Sequence, residues 1–305
     1  MRINTYDDIL RAAKTLPEKR TLAVARADDE AVLSAVAQAR RAGMVDATLT
    51  GNIDALRAGL AALGEKEADY TLIDTPDDET AAREAVRLVR EGRADALMKG
   101  LLGTATLMRA VVDRENGIRT GHIISHLMFY EVPGHKLLCL TDGGMNTFPD
   151  LEKKVQILEH AARALKKFGK PDITAACVCG AEVVNPKIQS NLDAQALVEK
   201  NDYWQSTYGM TVYGPVGLDL AVSKEAVRHK HYPVDCAGEA DILLVPNYEV
   251  GNGIGKAMTC FANARNAGVI VGARVPIILV SRSDSVESKL ASIALGCVLS
   301  DGAEI

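Results

Sequence analysis

Short apolar runs bounded by polar turns alternate along this chain with stretches whose apolar positions recur every three or four residues. Residues 21–27 (TLAVARA) predict a strand, after which Asp28 or Asp29 caps a helix reaching Gly43, with Val32, Val36 and Ala39 on one face. The pattern continues with a strand over 47–50, a helix over 53–63, a strand over 70–74 and a helix over 80–90. Residues 94–98 (ADALM) form a buried strand that ends at Lys99-Gly100. This rhythm predicts a parallel sheet with helices on both faces.

Two β-rich segments follow, 122–132 and 136–141, and then Leu151, Val155, Leu158, Ala162 and Leu165 mark an amphipathic helix. The alternation resumes with strands over 173–179, 210–213, 242–246, 269–271 and 277–280. Helices are expected over 193–200, 224–230, 254–267 and 286–299. No repeat, low-complexity tract or Pro/Gly/Ser-rich linker interrupts the chain. The pattern therefore predicts an α/β fold of two α/β domains with mostly parallel sheets in tight contact. A boundary is expected near Asp142-Gly143-Gly144, where a strand runs into a glycine turn.

Composition narrows the class. A chain of 305 residues suits two domains and large cores without disulfides. Aromatic residues make up only 4%, so the cores must be aliphatic. The formal net charge of −5 disfavours nucleic acid as a partner, so anionic substrates would need local cations and helix starts. The six cysteines form no C-x-x-C pair and read as small buried hydrophobes in a reducing compartment. The first residues lack the apolar core of a signal peptide, and no apolar run reaches ~18 residues, so a cytoplasmic location without membrane contact is expected.

Four segments carry candidate chemistry. Lys99-Gly100, with Thr104 and Thr106 beyond, ends a buried strand before a helix, a place where open α/β sheets bind ligands. The alternative is an ordinary turn lysine. Gly251-Asn252-Gly253-Ile254-Gly255-Lys256 departs from the Walker pattern and from G-x-G-x-x-G. It still offers glycine backbone and a cation for a phosphate at a helix start. Ser281-Arg282-Ser283-Asp284-Ser285 brings a guanidinium to the end of another strand, with Asp284 expected to cap the last helix. Arg119 stands between Gly117 and Gly121, as an anion contact or a plain turn residue. His122 and His126 have no evident third ligand, so zinc is not expected. No Gly-x-Ser-x-Gly and no legible nucleophile–base pair is present, which points to direct transfer between two bound substrates.

Taken together these motifs resemble the phosphate acetyltransferase/butyryltransferase family. The likeness rests on Met-Lys-Gly (98–100), Arg-Thr-Gly (119–121), Ile-Ser-His (124–126), Leu-Thr-Asp (140–142) and Val-Asn-Pro-Lys (184–187). Gly-Pro-Val-Gly-Leu-Asp (214–219), the run at 238–247, Gly-Asn (251–252) and Ser-Arg-Ser-Asp-Ser (281–285) extend it, nearest to the butyryltransferase branch. The resemblance implies reversible conversion of acyl-CoA and phosphate to acyl phosphate and CoA, with CoA as substrate and no tightly bound cofactor. It also implies an active-site cleft between two domains, in the manner of isocitrate and isopropylmalate dehydrogenases, and a homodimer or higher homo-oligomer. The last strand and helix would return to the first domain, giving 1–141 plus 278–305 and a second domain of 142–277. Ser281 and Arg282 map onto the family's catalytic pair, and Arg109 onto another functional arginine. Lys99, Gly100, Thr104, Arg119, Asn252 and Lys256 would hold phosphate or the CoA pyrophosphate. Ser288 stands where relatives carry the carboxylate proposed to deprotonate the thiol. Asp284 and Glu287 become the candidate bases. Three rival readings are a metal- and NAD-dependent dehydrogenase of the same architecture, a long-chain phosphate acyltransferase using acyl carrier protein, and an inactive CoA-binding scaffold.

Overall fold

The computed structural model describes residues 2–279 and 284–302. Up to residue 122 the elements are α1 (Tyr6–Lys14), β1 (Arg20–Ala25), α2 (Glu30–Arg41), β2 (Val45–Gly51), α3 (Ile53–Ala62), β3 (Thr71–Asp74), α4 (Asp78–Arg90), β4 (Ala96–Lys99) and α5 (Thr104–Val111). Next come β5 (Ser125–Glu131), β6 (Leu138–Thr141), α6 (Leu151–Lys167), β7 (Ile173–Val178), α7 (Gln189–Val198), α8 (Asn201–Tyr208) and β8 (Met210–Val216). The short helices α9 (Leu218–Val222) and α10 (Lys224–His229) lead to β9 (Ile242–Leu244) and α11 (Tyr248–Ala262). The chain closes with β10 (Arg265–Val271), β11 (Ile277–Ile278) and α12 (Val286–Leu299).

Two compact units emerge. A split unit joins 6–122 to 266–305, and a central unit joins 123–265 to residues 1–5. The divisions fall at 122/123 and 265/266 rather than at 141/142 and 277/278. The reason is strand pairing: β5 and β6 form an antiparallel pair, and β6 runs parallel beside β9, so both belong with the later strands. In the same way β10 pairs with β11, which pairs with β4.

In the split unit the strand order is β3-β2-β1-β4-β11-β10, parallel except for the β10–β11 pair. Side-chain caps start several of its helices close to where the pattern placed them. Asp29, not Asp28, caps α2 by accepting from the Val32 amide, Asn52 caps α3 and Asp77 caps α4. Each such cap is worth about 1 kcal/mol. α12 packs on α1 and α2, and α4 packs over β1 with α5 beside it. Every described residue of α12 from Ala291 to Leu299 is buried, which explains its continuous apolar sequence.

In the central unit the order is β5-β6-β9-β7-β8, with only β5 antiparallel. β9 is buried at all three positions, as a strand covered on both faces requires. Helix α8 was not evident from periodicity. Its sequence NDYWQSTY is polar and aromatic, and tertiary burial makes the helix. Trp204 is fully buried and donates its indole N–H to the Leu197 carbonyl, 2.9 Å away. The cysteines divide. Cys139, Cys177 and Cys297 are buried, Cys179 and Cys236 are half-buried, and Cys260 is exposed, against the expectation of six buried thiols. Cys260 follows Thr259 on an α11 face turned to solvent. Burial pushes the Cys297 thiol up to about 12 and the Cys139 and Cys177 thiols higher still.

Asp241 ties the amino-terminal ends of three strands together. It is buried, accepts from Lys136 Nζ at 2.6 Å and from Lys170 Nζ, and takes the Thr174 amide at 3.0 Å. Burial pushes its pKa up, but the hydrogen bonds from Lys136 and Lys170 outweigh burial and hold the carboxyl below the ordinary aspartate value of 3.8. The ionised form is therefore favoured by folding. Its contribution is fully present above about pH 4 and is lost as pH falls through the lower folded value. Asp241→Asn should cost roughly 2–3 kcal/mol at pH 7, because the half-buried Lys170 loses its counter-charge. Denaturant titrations should show this gap narrowing below about pH 4, and a gap independent of pH would contradict the ionised pair.

Candidate active site

The split unit has a topological switch point. From β1 the chain moves outward to β2 and β3, then returns to place β4 on the other side of β1. Ligands of open α/β sheets bind outside the carboxyl ends at such a point. Here those ends carry Arg26 and Lys99-Gly100, with Ala25 and Lys99 paired in register. Gly100 comes so close to β1 that an added Cβ would lie 2.0 Å from the Arg26 carbonyl oxygen, so no side chain fits. The Gly100 and Leu101 amides donate to the Ala25 and Arg26 carbonyls. Lys99 is 6% exposed, and its Nζ donates to the Gly100 and Leu102 carbonyls at 3.0 Å each. Its ammonium thus shapes the loop that delivers the exposed Thr104 at the start of α5.

Arg109 is exposed on the last turn of α5, where its guanidinium donates to Thr106 Oγ1 at 3.3 Å. It lines a cavity of about 700 Å³ between α4 and α5 whose walls also carry Arg83, Arg87, Arg90, Glu79 and Asp113. Arg119 is exposed and forms an isolated antiparallel bridge with Ala273, and Thr120 Oγ1 donates to the Gly272 carbonyl at 2.7 Å. Ser281 and Arg282 lie outside the described residues. Asp284 does not cap α12, contrary to expectation. Ser285 does so by accepting from the Ser288 amide at 3.1 Å, while Asp284 precedes the cap and is half-buried.

The central unit gathers a second set at the carboxyl ends of its strands. Asp142, immediately after β6, is 1% exposed. One carboxylate oxygen accepts the Gly144 and Met145 amides, both at 2.8 Å. The other accepts the His126 amide at 3.2 Å and Asn146 Nδ2 at 2.6 Å. Asn146 also donates to the Ile124 carbonyl, so the 142–146 turn is stitched to the start of β5. The His126 ring lies against Gly144, where an added Cβ would fall 2.3 Å from Nδ1.

The segment from Gly251 to Lys256 is not a loop before a helix. Asn247 caps α11 by accepting from the Val250 amide, so the helix begins earlier than expected and the glycines sit inside it. Their amides serve the helix ladder, as with the Gly251 amide donating to the Asn247 carbonyl. Their small size serves packing. A Cβ on Gly251 would come 2.6 Å from Gly143 Cα, and one on Gly255 would come 2.3 Å from the Tyr130 hydroxyl. Asn252 and Lys256 are exposed on the same helix.

Each unit therefore collects its own predicted residues: Lys99, Gly100 and Thr104 around the β4 end in the split unit, Asn252 and Lys256 on α11 in the central unit. Of Asp142, His126 and Arg26, sequence reasoning weighed His126 only as a zinc ligand and did not single out the others as site residues. Arg26 is in the left-handed region with φ 59° and pairs with Asp28 and Asp78. The signal for the first two was Thr-Asp-Gly-Gly following an apolar strand, which read as a domain boundary. Among the described residues no three of His, Cys, Asp and Glu are grouped to hold a metal.

A profile of the phosphate acetyl/butaryl transferase family matches residues 77–297. The chain is 39% identical to a phosphate butyryltransferase of Clostridium acetobutylicum, across 97% of this chain and 98% of that one. It is 38% identical to a phosphate acetyltransferase of Rhizobium meliloti, across 96% and 92%. A branched-chain phosphotransacylase from Enterococcus faecalis superposes with a TM-score of 0.82 at 32% identity, covering 93% of this chain and all of that one. These likenesses do not favour the dehydrogenase reading, and they span all the motifs from Met98 to Ser285. The chain belongs to the phosphate acetyl/butaryl transferase family.

Proposed function

We propose that the protein moves a short acyl group reversibly between CoA and inorganic phosphate, with butyryl and similar chains preferred over acetyl. The near-full-length likeness to a phosphate butyryltransferase carries this reading. CoA is a substrate in it, not a resident cofactor, and the proposed setting is a cytoplasmic homodimer or higher oligomer. Among the described residues no helix is long and apolar enough to cross a membrane.

In the direction that consumes acyl phosphate, the CoA sulfur attacks the acyl carbonyl and phosphate leaves. Negative charge develops on the carbonyl oxygen and on the departing phosphate. Arg282, next to Ser281 in the sequence, is assigned to stabilise that charge, since a guanidinium fork can engage two oxygens at once. Asp284 follows this pair two residues on in the sequence, and the helix cap is made by Ser285 instead. Lys99 has a backbone-shaping task already, so its contribution to anion binding comes with the Gly100–Thr104 loop it holds. Arg109 shares its cavity with Arg83, Arg87 and Arg90 as well as Glu79, Glu84 and Asp113, and its guanidinium stands 3.8 Å from the Glu79 carboxylate, so binding of the CoA phosphates there would draw Arg109 away from that pair. Arg119, Asn252 and Lys256 are exposed and complete the assigned phosphate contacts.

Purified protein should release CoA from butyryl-CoA only when phosphate or arsenate is present, without a redox cofactor. Thiol release that ignores phosphate would make it a thioesterase. Along a ladder of acyl-CoAs, kcat/KM should peak at three to five carbons, each accepted methylene adding up to about 0.8 kcal/mol. A peak at acetyl-CoA would contradict the chain-length assignment. Arg282→Ala should lower kcat by on the order of 10²–10³ with a smaller change in KM for CoA, and Arg282→Lys should recover only part. Near-normal kcat in Arg282→Ala, or activity that falls only with the folded fraction, would remove Arg282 from the mechanism.

A further inference from the structure

We infer that a second copy of this chain docks on the outer flank of α11, with Phe261 of each copy seated in an apolar groove of the other. The inference gives a face to the homo-oligomer proposed above and is independent of the acyl-transfer chemistry. Helix α11 has three flanks. Gly251 and Gly255 turn inward, against Gly143 and Tyr130. Asn252 and Lys256 are exposed on a polar flank. Val250, Ile254, Ala257 and Phe261, spaced i, i+4, i+7 and i+11, align as a third stripe at the helical period, roughly opposite Asn252 and Lys256. This stripe carries no charge, yet Val250, Ala257 and Phe261 are exposed and Ile254 is only half-buried. Phe261 is 88% exposed, the most exposed large apolar side chain among the described residues. A surface helix ordinarily turns polar residues outward, so an uncovered apolar stripe marks a contact surface.

Beside the stripe lies a groove of about 390 Å³. Its apolar walls come from Leu218 and Val222 of α9, Leu243 of β9, and Ile254, Met258 and Ala262 of α11 itself. Val222, Ile254 and Met258 pack on the core of the central unit and are themselves only partly covered. Clefts of roughly 300–1,000 Å³ take whole ligands, so a phenylalanine ring fits with room for its neighbours. Ile254 belongs to both stripe and groove, and Phe261 adjoins Ala262 in the chain. Knob and groove therefore share one face, formed wholly within the central unit.

The charges on the rim choose the occupant. Lys224 pairs with Glu239 at 2.7 Å, and Lys136 pairs with Asp241 at 2.6 Å. Each ammonium that lines the groove thus has a carboxylate partner, which disfavours an acidic peptide, an anionic membrane or a fatty-acid carboxylate as the occupant. A small apolar molecule would fill the groove and leave the Phe261 ring in water. A second copy covers both, because a two-fold axis brings each knob to the other copy's groove and makes the contact twice. Both signs of charge stand on the rim, which is the complementarity that a surface facing its own image needs. Asn252 and Lys256, on the flank away from the stripe, stay open to substrate in such a pair.

The test is sedimentation velocity of the full chain over a dilution series, for wild type, Phe261→Asp and Leu218→Glu. Wild type should sediment as a dimer or a multiple of one. Phe261→Asp should raise the dissociation constant of this contact by on the order of 10³, since a two-fold contact loses its aromatic anchor twice. Its far-UV circular dichroism should not change, because the side chain lies in solvent in the single chain. Leu218→Glu should weaken the same contact from the groove side. In wild type, amide hydrogen exchange over 218–222 and 250–262 should quicken on dilution, a readout that needs no variant to fold. A monomeric wild type overturns the inference, whether native mass spectrometry finds the groove empty or holding a co-purified apolar molecule. So does an assembly that Phe261→Asp leaves as tight as wild type, or one whose dilution-sensitive amides lie elsewhere. None of these readouts involves thiol release, so failure of the contact and failure of the acyl-transfer reading are told apart.

Discussion

A single buried carboxylate, Asp142, organises the carboxyl edge of the central unit's sheet. Its position after a fully buried strand leaves it no water, so each lone pair needs a protein donor. Four donors meet it, three from backbone amides and one from Asn146. Those donors belong to two segments that are neighbours only because β5 and β6 pair antiparallel. The carboxylate thus converts strand pairing into a defined turn, and the turn into a platform for the His126 ring and for α11.

The same logic of close approach operates twice. Gly143 and Gly251 let a turn and a helix touch backbone to backbone, and Gly100 lets the end of β4 sit against the end of β1. In both units the chain places small residues where strand ends must converge and polar residues just beyond. Lys99 does for the split unit what Asp142 does for the central one, with the sign of charge reversed: its ammonium donates to two loop carbonyls. Acyl transfer to phosphate makes use of such rigidity, since misplacement of reacting groups by about 1 Å can cost 10²-fold in rate.

Most elements were legible because parallel strands buried on both faces read as unbroken apolar runs and because Asp, Asn and Ser mark helix starts. The order of motifs made the family legible from Met98 onward. Three features were not legible. Helix α8 depends on Trp204 finding a pocket, which no local pattern announces. The start of α11 was displaced because glycines at 251, 253 and 255 look like a loop, whereas Asn247 had already capped the helix and the glycines answer to Gly143 and Tyr130. The bond between Asp142 and the His126 amide was invisible because 16 residues separate the two partners. A glycine pair after a strand end looks the same whether it separates domains or builds a site.

We propose that the Asp142 turn, on which α11 with Asn252 and Lys256 packs through Gly143 and Gly251, holds this edge in the form that acyl transfer needs. Asparagine at 142 is nearly isosteric but must turn its amide N–H₂ toward one of the two pairs of donors, and it removes the charge. The most direct measurement is therefore phosphate-dependent CoA release by Asp142→Asn, read as kcat and as KM for phosphate beside the melting temperature. The account predicts a fall in kcat of on the order of 10² at temperatures where the variant remains folded, with KM for phosphate little changed. Wild-type kcat in a folded Asp142→Asn protein would contradict it.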